Sequence, residues 1–475
     1  MKKSKKNNKK KKLVLFFTIF VISMALFLLS FMRLEGDYFW HIKAGEYMVN
    51  HGVLKKDVFS WYLHGKYWMS HEWLFEIILY CFKVLFHSYH LLVYGFVCIT
   101  SLLLILFFAN KENYLKNTII GMLWVIFAVI LATFMQGRPH LISYNLLALT
   151  IWFLYDNYKN PDSKLIYFLP LVSIVWANVH GGSSNLSYLF CFMFLIVGLF
   201  NINFTKLEMK RISKKQALKY LIIALACMLC ININIHGFKM FVYPYQNMLD
   251  KTMLNSIMEW QPTDLSNPAH YLYLLLVAVI LFIMISNKKK KINLIDLSLF
   301  AVALVLGLKS VRFWGYIYII MSFVIFNYIE DEELLNKPKR DLIVMSIILL
   351  SMACLNYKFL NHKLQRIHLN DEVIEIIKKE QPKRLFNMYD YGGELIYHDI
   401  PVFIDSRADL YSKYNYSDYL NISNLTKNFS ALMDKYDFDY YLVDNKFAIN
   451  GYLASDFDYT VIYNDENVSL YKKNS

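Results

Sequence analysis

The sequence predicts a multi-pass α-helical membrane protein of about eleven transmembrane helices with a small C-terminal extracytoplasmic α/β domain. Two observations favour this fold class. Hydrophobic residues make up 57% of the 475-residue chain, which is more than soluble domains usually contain. Apolar runs recur along the chain, and most are roughly 17 to 22 residues long, the length that a helix needs to cross a bilayer.

These apolar runs define the predicted spans. A cleaved signal peptide is not expected, because the first run is long and no small-residue cleavage site follows it. The amphipathic stretch 70–88 is expected to lie along the membrane interface. The predicted spans are 13–32, 89–109, 118–136, 141–157, 164–179, 186–203, 219–235, 270–286, 292–308, 313–329 and 341–356.

The distribution of charge predicts the topology. The formal net charge is +13, and lysines cluster at 1–12 and at 288–291, beside apolar runs. Such clusters remain in the cytoplasm and attract anionic lipid headgroups, so no nucleic-acid partner is expected. The sequence therefore predicts a protein of the cell membrane with a cytoplasmic N-terminus. After eleven crossings, its C-terminal domain lies outside.

Three regions follow from this topology. A cytoplasmic basic tail, 1–12, precedes a membrane domain, 13–356, whose first outer loop, 33–73, is long. Alternating helices and short strands then predict an extracytoplasmic α/β domain over 357–475. Its predicted elements are a helix at 371–380, a strand at 384–387, a Gly-Gly turn at 392–393, a strand at 401–404, a helix at 430–436 and strands at 439–443 and 459–464.

Acidic and histidine side chains concentrate in the first outer loop. Asp37 follows the first span, where a carboxylate either ends the helix or serves as a general base for an attacking hydroxyl. Asp37 and His41 share a face if this stretch is helical, and together they could hold a divalent metal. Glu72 in SHEW is the second catalytic candidate, and His41 and His71 are predicted to bind substrate.

Cationic side chains stand at the mouths of other predicted spans. Arg138 and His140 lie in GRPH, and Arg312 directly precedes a span. These cations either contact lipid headgroups or bind a phosphate, for which arginine offers paired donors. His180 precedes two glycines whose backbone N–H groups could approach an anion; otherwise it is a solvated turn residue. Glu259 contacts substrate or is an ordinary surface residue.

Two stretches resemble a known family. GDYFWHIKAGEYMVNHGVLKKDVFSWYLHGKYWMSHEWL (36–74) and VFIDSRADLY (402–411) are similar to uncharacterised bacterial members of the GT-C superfamily, in the protein mannosyltransferase and aminoarabinose transferase-like group. The resemblance implies a polyprenyl-phosphate-sugar donor and an acidic base on the first outer loop, a position that Asp37 matches. It also implies transfer to a cell-envelope glycan, lipid or protein at the outer face. The residue after Asp37 is Tyr38, whereas many relatives have a second acid there.

Two other functions remain open. A transporter or flippase of lipid-linked glycans would show ionisable residues near mid-membrane and inverted repeats, and the sequence shows few of the former and none of the latter. In a non-catalytic membrane scaffold of envelope glycan assembly, the external domain with Asp405, Arg407 and Asp409 would dock a partner or help to cover the cavity. The sequence leaves the sugar, the acceptor and any divalent metal requirement open.

Overall fold

The computed structural model describes residues 2–109, 131–132, 134–250, 254, 257–267, 270–328, 343–355 and 369–474. The chain forms two compact units. The first unit consists of Met1–Arg33, Ser88–Gln246 and Ile257–Leu364, and the second consists of Leu34–His87, Asn247–Ser256 and Gln365–Ser475. The segment Leu34–His87, which contains the predicted first outer loop, thus belongs to the same unit as the C-terminal residues. The domain boundary expected at 357 stays a prediction.

The first unit is mostly α-helical. Most of its longer helices coincide with apolar runs of the sequence. The helices that lie wholly or mainly in this unit are Lys2–Leu29, His90–Ala109, His140–Lys159, Leu169–Val179, Leu186–Gly198, Lys214–Cys230, Phe238–Leu249, Tyr271–Ser286, Leu294–Lys309, Trp314–Phe326 and Ile343–Leu355.

Two helical runs in the described part of the chain are long and apolar enough to cross a membrane, Trp73–Ala109 and Gly181–Gly198. A 3-10 turn at His87–Tyr89 divides the first run into the helices Trp73–Phe86 and His90–Ala109. The shorter apolar helices are Leu15–Leu29, Leu165–Val179, Tyr273–Ser286, Val311–Ile325 and Ile343–Leu355. These helices are compatible with a membrane protein, and the count of eleven spans and the topology stay predictions. Residues 118–130 of one predicted span lie outside the described residues.

A small sheet in the first unit has no counterpart among the predicted elements. Ile202–Asn203 pairs antiparallel with Leu207–Met209, which pairs parallel with Ile292–Asn293. Strands of two or three residues are too short to show the alternating pattern by which a strand is recognised in a sequence.

The second unit contains a four-stranded sheet with helices packed against it. The strands run in the order Leu385–Asn387, Tyr440–Asp444, Val468–Lys473, Tyr459–Asn464 across the sheet. The first pair is parallel and the others are antiparallel. The helices are Gly36–His51, Trp73–Phe86, Asp371–Glu380, Gly392–Tyr397, Ala408–Tyr411, Tyr416–Ser423, Phe429–Tyr436 and Ala448–Ser455.

Two predicted elements of this unit are wrong. Gly392 and Gly393 begin the helix Gly392–Tyr397 instead of forming a turn. Residues 401–404 join no sheet, and only Val402 forms an isolated bridge, to Ser60. A Cβ on Gly393 would lie 2.2 Å from the Gly36 carbonyl oxygen. Glycine is therefore required here for a close approach of two backbones and not for a turn.

Aromatic residues of the segment Leu34–His87 lie in the core of the second unit. Trp40 and Trp68 are buried in one hydrophobic cluster with Phe386, Val402 and Phe403. Their burial anchors the segment to the sheet, since large aromatic side chains contribute strongly to core stability. These two tryptophans are therefore core residues of the second unit.

Candidate functional site

An acidic cluster forms where two helices of the second unit meet, Gly36–His51 and Trp73–Phe86. A Cβ on Gly45 would lie 2.1 Å from the backbone carbonyl oxygen of Glu76, so only glycine lets the helices approach this closely. His41 lies one turn before Gly45, on the same face of its helix. Glu72 immediately precedes the second helix, and Glu76 lies in its first turn. The close packing therefore brings His41, Glu72 and Glu76 together.

The imidazole of His41 lies between two carboxylates. Its Nδ1 is 3.4 Å from Glu76 Oε1, and its Nε2 is 3.5 Å from Glu72 Oε2. Glu76 is fully buried, and His41 and Glu72 are 1% and 6% exposed. One ligand-type atom from each residue lies within 4.8 Å of the others. These are the residues that could hold a proton or a metal ion at this place.

Glu76 was not among the residues predicted from sequence. The available signal was the spacing of Glu72 and Glu76, which are four residues apart and share one helix face. The stretch 70–88 was predicted as an amphipathic helix along the membrane interface, and only Glu72 of its two glutamates was a candidate.

His71 extends the acidic cluster towards the helix Ala408–Tyr411. Its Nε2 lies 3.2 Å from Glu72 Oε1, and its Nδ1 lies 3.9 Å from Asp409 Oδ2. Burial opposes protonation of this histidine, but the carboxylates of Glu72 and Asp409 raise the pKa of His71 above its usual value. His71 therefore links two parts of the second unit through charge.

Asp37 lies one turn before His41 on the same helix, but it is not one of the three residues of the acidic cluster. It is half-buried in the first turn of the helix Gly36–His51, where the positive end of the helix dipole favours a carboxylate. Burial, together with the negative charge of Asp37, raises the pKa of Tyr389 well above its usual value. Asp37 is not one of the three residues whose ligand-type atoms converge, although the sequence left open that Asp37 and His41 could hold a divalent metal.

A second charged cluster lies in the first unit. The Arg138 Nη1 atom is 2.7 Å from Glu259 Oε1, and the Arg312 Nη1 atom is 3.8 Å from Glu259 Oε2. The Arg312 guanidinium also lies 5.0 Å from the centre of the Trp260 ring, a cation–π distance. Three residues predicted separately as phosphate or substrate partners thus meet, with one carboxylate between two guanidiniums.

The cluster of Arg138, Arg312 and Glu259, called the basic cluster below, is held in place by hydrogen bonds to nearby backbone groups. The Ser310 hydroxyl donates to the Glu259 carbonyl oxygen at 2.8 Å, and the Val311 N–H donates to the Gln261 carbonyl oxygen at 3.1 Å. The side chains of Arg138, Arg312 and Glu259 are 20%, 33% and 38% exposed. Solvent and solutes can therefore reach the cluster.

The charge of Glu259 follows from its partners. Burial opposes ionisation, but the guanidiniums of Arg138 and Arg312 hold the pKa of the Glu259 carboxyl below its usual value. Glu259 is therefore an anion at neutral pH, bound where two arginines could bind another anion.

The two remaining predicted histidines, His140 and His180, contact neighbouring groups of the first unit. The His140 Nε2 atom lies 2.7 Å from the Phe134 carbonyl oxygen, to which it donates in the tautomer protonated there. His180 is 3% exposed, and its Nδ1 lies 2.7 Å from Ser143 Oγ and 3.2 Å from Ser183 Oγ. His180 is thus part of a buried polar network, and its interpretation as a solvated turn residue is wrong.

Comparison with known proteins supports the fold alone. No family model and no curated protein matches the chain. The chain is similar to the crystal structure of the Archaeoglobus fulgidus oligosaccharyltransferase in the apo form, with a TM-score of 0.53 and 12% sequence identity. This similarity covers 90% of this chain and 69% of that chain. The chain therefore shares the fold of this oligosaccharyltransferase, and the family suggested by its sequence stays a prediction.

Proposed function

We propose that the protein is a membrane glycosyltransferase that moves a sugar from a polyprenyl-phosphate donor to a cell-envelope acceptor at the outer face of the membrane. The observation that carries this proposal is the convergence of Arg138 and Arg312 on a single carboxylate, in a chain with the fold of an oligosaccharyltransferase. Paired guanidiniums are the usual means of binding a phosphate group.

The basic cluster supplies what the leaving group requires. When the bond between the sugar and the phosphate oxygen breaks, that oxygen keeps the electron pair and gains negative charge. Guanidiniums that are already in place stabilise such charge without reorganisation. In this proposal the donor phosphate takes the place of the Glu259 carboxylate between Arg138 and Arg312, because both groups are anions that accept from the same N–H donors.

The attacking hydroxyl of the acceptor requires a base. We assign this role to Asp37, whose carboxylate lies at the start of a helix and is half-buried. It takes the hydroxyl proton as the acceptor oxygen attacks the anomeric carbon. A single displacement of this kind inverts the configuration at that carbon. Glu72, the second catalytic candidate, lies within the acidic cluster and is the alternative base.

The experiment is a donor-cleavage assay on purified protein in nanodiscs. Wild type, Asp37→Asn and the control Glu375→Gln receive a panel of polyprenyl-phosphate sugars, and mass spectrometry follows release of polyprenyl phosphate. We expect release by wild type and by the control, whose side chain is 73% exposed. For Asp37→Asn, we expect a loss of about 10²- to 10⁴-fold, the usual contribution of a general base.

Two outcomes would count against this proposal. Wild-type rates from well-folded Asp37→Asn would show that Asp37 is not the base, and Glu72→Gln would then be measured. Movement of labelled lipid across liposomes by wild type, without cleavage of any donor, would instead identify a transporter.

A further inference from the structure

We infer that His41, Glu72 and Glu76 form a binding site for one divalent transition-metal ion, of the class of Mn²⁺ and Zn²⁺. The inference concerns metal binding in the second unit and does not depend on the reaction proposed above. It rests on the ligand set, on the balance of buried charge and on the way in which each carboxylate is oriented.

The ligand set selects the class of ion. One imidazole nitrogen and two carboxylate oxygens lie within 4.8 Å of one another. Imidazole suits zinc and other transition metals, whereas carboxylates also suit manganese. Ca²⁺ takes six to eight oxygen ligands, which these three side chains do not supply. Three protein ligands leave a coordination position for water or substrate, as in catalytic zinc sites.

Two buried carboxylates that face one imidazole form a site for a divalent cation. Glu76 is fully buried and Glu72 is nearly so, and buried carboxylates are costly unless their charge is compensated. A divalent ion carries the two positive charges that compensate both carboxylates.

The second oxygen of each carboxylate already has a partner. The Ser70 hydroxyl donates to Glu76 Oε2 at 2.9 Å, and His71 Nε2 lies 3.2 Å from Glu72 Oε1. The oxygens left facing His41 are therefore Glu76 Oε1 and Glu72 Oε2. Residues that hydrogen-bond to metal ligands without contacting the ion orient those ligands and raise the metal affinity of proteins.

The distances around His41 also leave room for an ion. The imidazole nitrogens lie 3.4 and 3.5 Å from the two carboxylate oxygens. Hydrogen bonds between a protonated histidine and carboxylates are usually shorter, about 2.7 to 2.9 Å. Because Glu76 faces Nδ1 and Glu72 faces Nε2, one ion binds a single imidazole nitrogen and the carboxylate beside it, and it reaches the other carboxylate after a rotation of the His41 ring or of that carboxylate.

The experiment measures metal content and stability without any substrate. Full-length protein in nanodiscs is stripped with a chelator and then equilibrated with Mn²⁺, Zn²⁺ or Ca²⁺. Bound metal is counted by mass spectrometry after gel filtration, and thermal unfolding is recorded. We expect about one Mn²⁺ or Zn²⁺ per chain and a higher Tm, because a ligand that binds only the folded state stabilises it. Ca²⁺ should bind no more than background.

Variants locate the ion. Glu76→Gln should lower the metal affinity by at least about 10- to 100-fold, which is the usual effect of losing a residue that only hydrogen-bonds to a ligand. The control Glu375→Gln, an exposed residue of the helix Asp371–Glu380 in the same unit, should bind as wild type does. If Glu76→Gln fails to fold, Ser70→Ala keeps all three ligands and should still weaken binding about 10- to 100-fold.

Other results would overturn the inference. Wild type that binds neither metal and keeps the same Tm would show that these three side chains do not form a metal site. Unchanged affinity in folded Glu76→Gln and in Ser70→Ala would place the ion elsewhere. Because no donor or acceptor is present, these results are independent of whether the glycosyltransferase proposal holds.

Discussion

Arg407 Nη1 lies 2.7 Å from Asp57 Oδ1, and both side chains are fully buried. The same guanidinium contacts Asp405 through Nε at 2.8 Å and Nη2 at 2.6 Å, and it lies 4.6 Å from the centre of the Trp68 ring. Asp57 and Trp68 belong to the segment Leu34–His87, whereas Asp405 and Arg407 are near the end of the chain. This charged group therefore joins distant parts of the sequence within the second unit.

Asp57→Asn should strongly destabilise the second unit. The substitution keeps the shape of the side chain but removes one of the two negative charges around Arg407. Breaking a buried ion pair on one side costs about 3 to 5 kcal/mol, because the remaining charge is left poorly compensated. Thermal unfolding in detergent measures the effect as a fall in Tm.

The matched comparison is an exposed ion pair of the same unit. Lys378 and Glu375 lie 3.5 Å apart with side chains 43% and 73% exposed. Because pairs of this kind contribute only about 0 to 1 kcal/mol, Glu375→Gln should hardly change the Tm. Equal effects of the two substitutions would show that Arg407 does not depend on Asp57.

The contribution of Asp57 to the stability of the fold should decrease on acidification. Burial opposes ionisation, but the Arg407 guanidinium holds the pKa of Asp57 below its usual value in the folded protein. A carboxyl group with a depressed folded pKa stabilises the fold above its unfolded pKa, about 3.9. This stabilisation is lost as the pH falls through the folded pKa.

The stability difference between wild type and Asp57→Asn should therefore be constant above about pH 5 and should shrink on further acidification. Unfolding measured from pH 3 to pH 8 on both proteins checks this. A difference that disappears between pH 6 and pH 7 would point to a histidine as the titrating group instead.

Local elements of the second unit could be predicted from sequence, but their pairing could not. The helix Asp371–Glu380 and the strand Tyr459–Asn464 were predicted with their observed bounds, because each shows its own periodic pattern. Asp405 and Arg407 were interpreted as docking residues, whereas both are buried. Their burial depends on Asp57 and on Trp68, which are distant in sequence and whose position no local pattern shows.

In the two candidate sites as well, most individual residues could be predicted from sequence, but their arrangement could not. Arg138, Glu259 and Arg312 were each predicted as functional residues, but nothing in the spacing indicated that one carboxylate lies between the two guanidiniums. His41 and Glu72 were predicted as well, and Glu76 was missed. Its place in the acidic cluster depends on the close approach of two helices at Gly45, which is a tertiary contact.

Gly45→Ala tests this helix contact. The new methyl group would lie 2.1 Å from the Glu76 carbonyl oxygen and 2.8 Å from Tyr80 Cβ, so the helices must move apart. Overpacking of this kind costs about 1 to 3 kcal/mol. The displacement should also separate His41 from Glu72 and Glu76. We therefore expect a lower Tm and a loss of metal binding, measured on the chelator-stripped protein.

Gly451 provides the control for this substitution. It lies in the helix Ala448–Ser455 of the same unit, and a Cβ there would meet nothing within 4 Å. Gly451→Ala should leave metal binding unchanged and raise stability by up to about 1 kcal/mol, because alanine favours helix. If Gly45→Ala behaved like Gly451→Ala, the close approach would not be what assembles the cluster.

Glu259→Gln tests whether the carboxylate occupies the place of the donor phosphate. Glutamine keeps the size and planar shape of glutamate but is neutral, so it competes less well for Arg138 and Arg312. We therefore expect tighter binding of polyprenyl phosphate, by about tenfold if the competition contributes about 1.4 kcal/mol. Binding is measured in nanodiscs by native mass spectrometry.

The sign of the change decides between two roles of Glu259. Weaker binding by Glu259→Gln would mean that the carboxylate orients the two arginines for phosphate and does not occupy their site. Unchanged binding would mean that polyprenyl phosphate does not bind at Arg138 and Arg312. Glu208→Gln, an exposed glutamate in the same unit, removes the same charge away from the arginines and should leave affinity as in wild type. Only tighter binding confined to Glu259→Gln supports competition, because a general change in net charge would affect both variants alike.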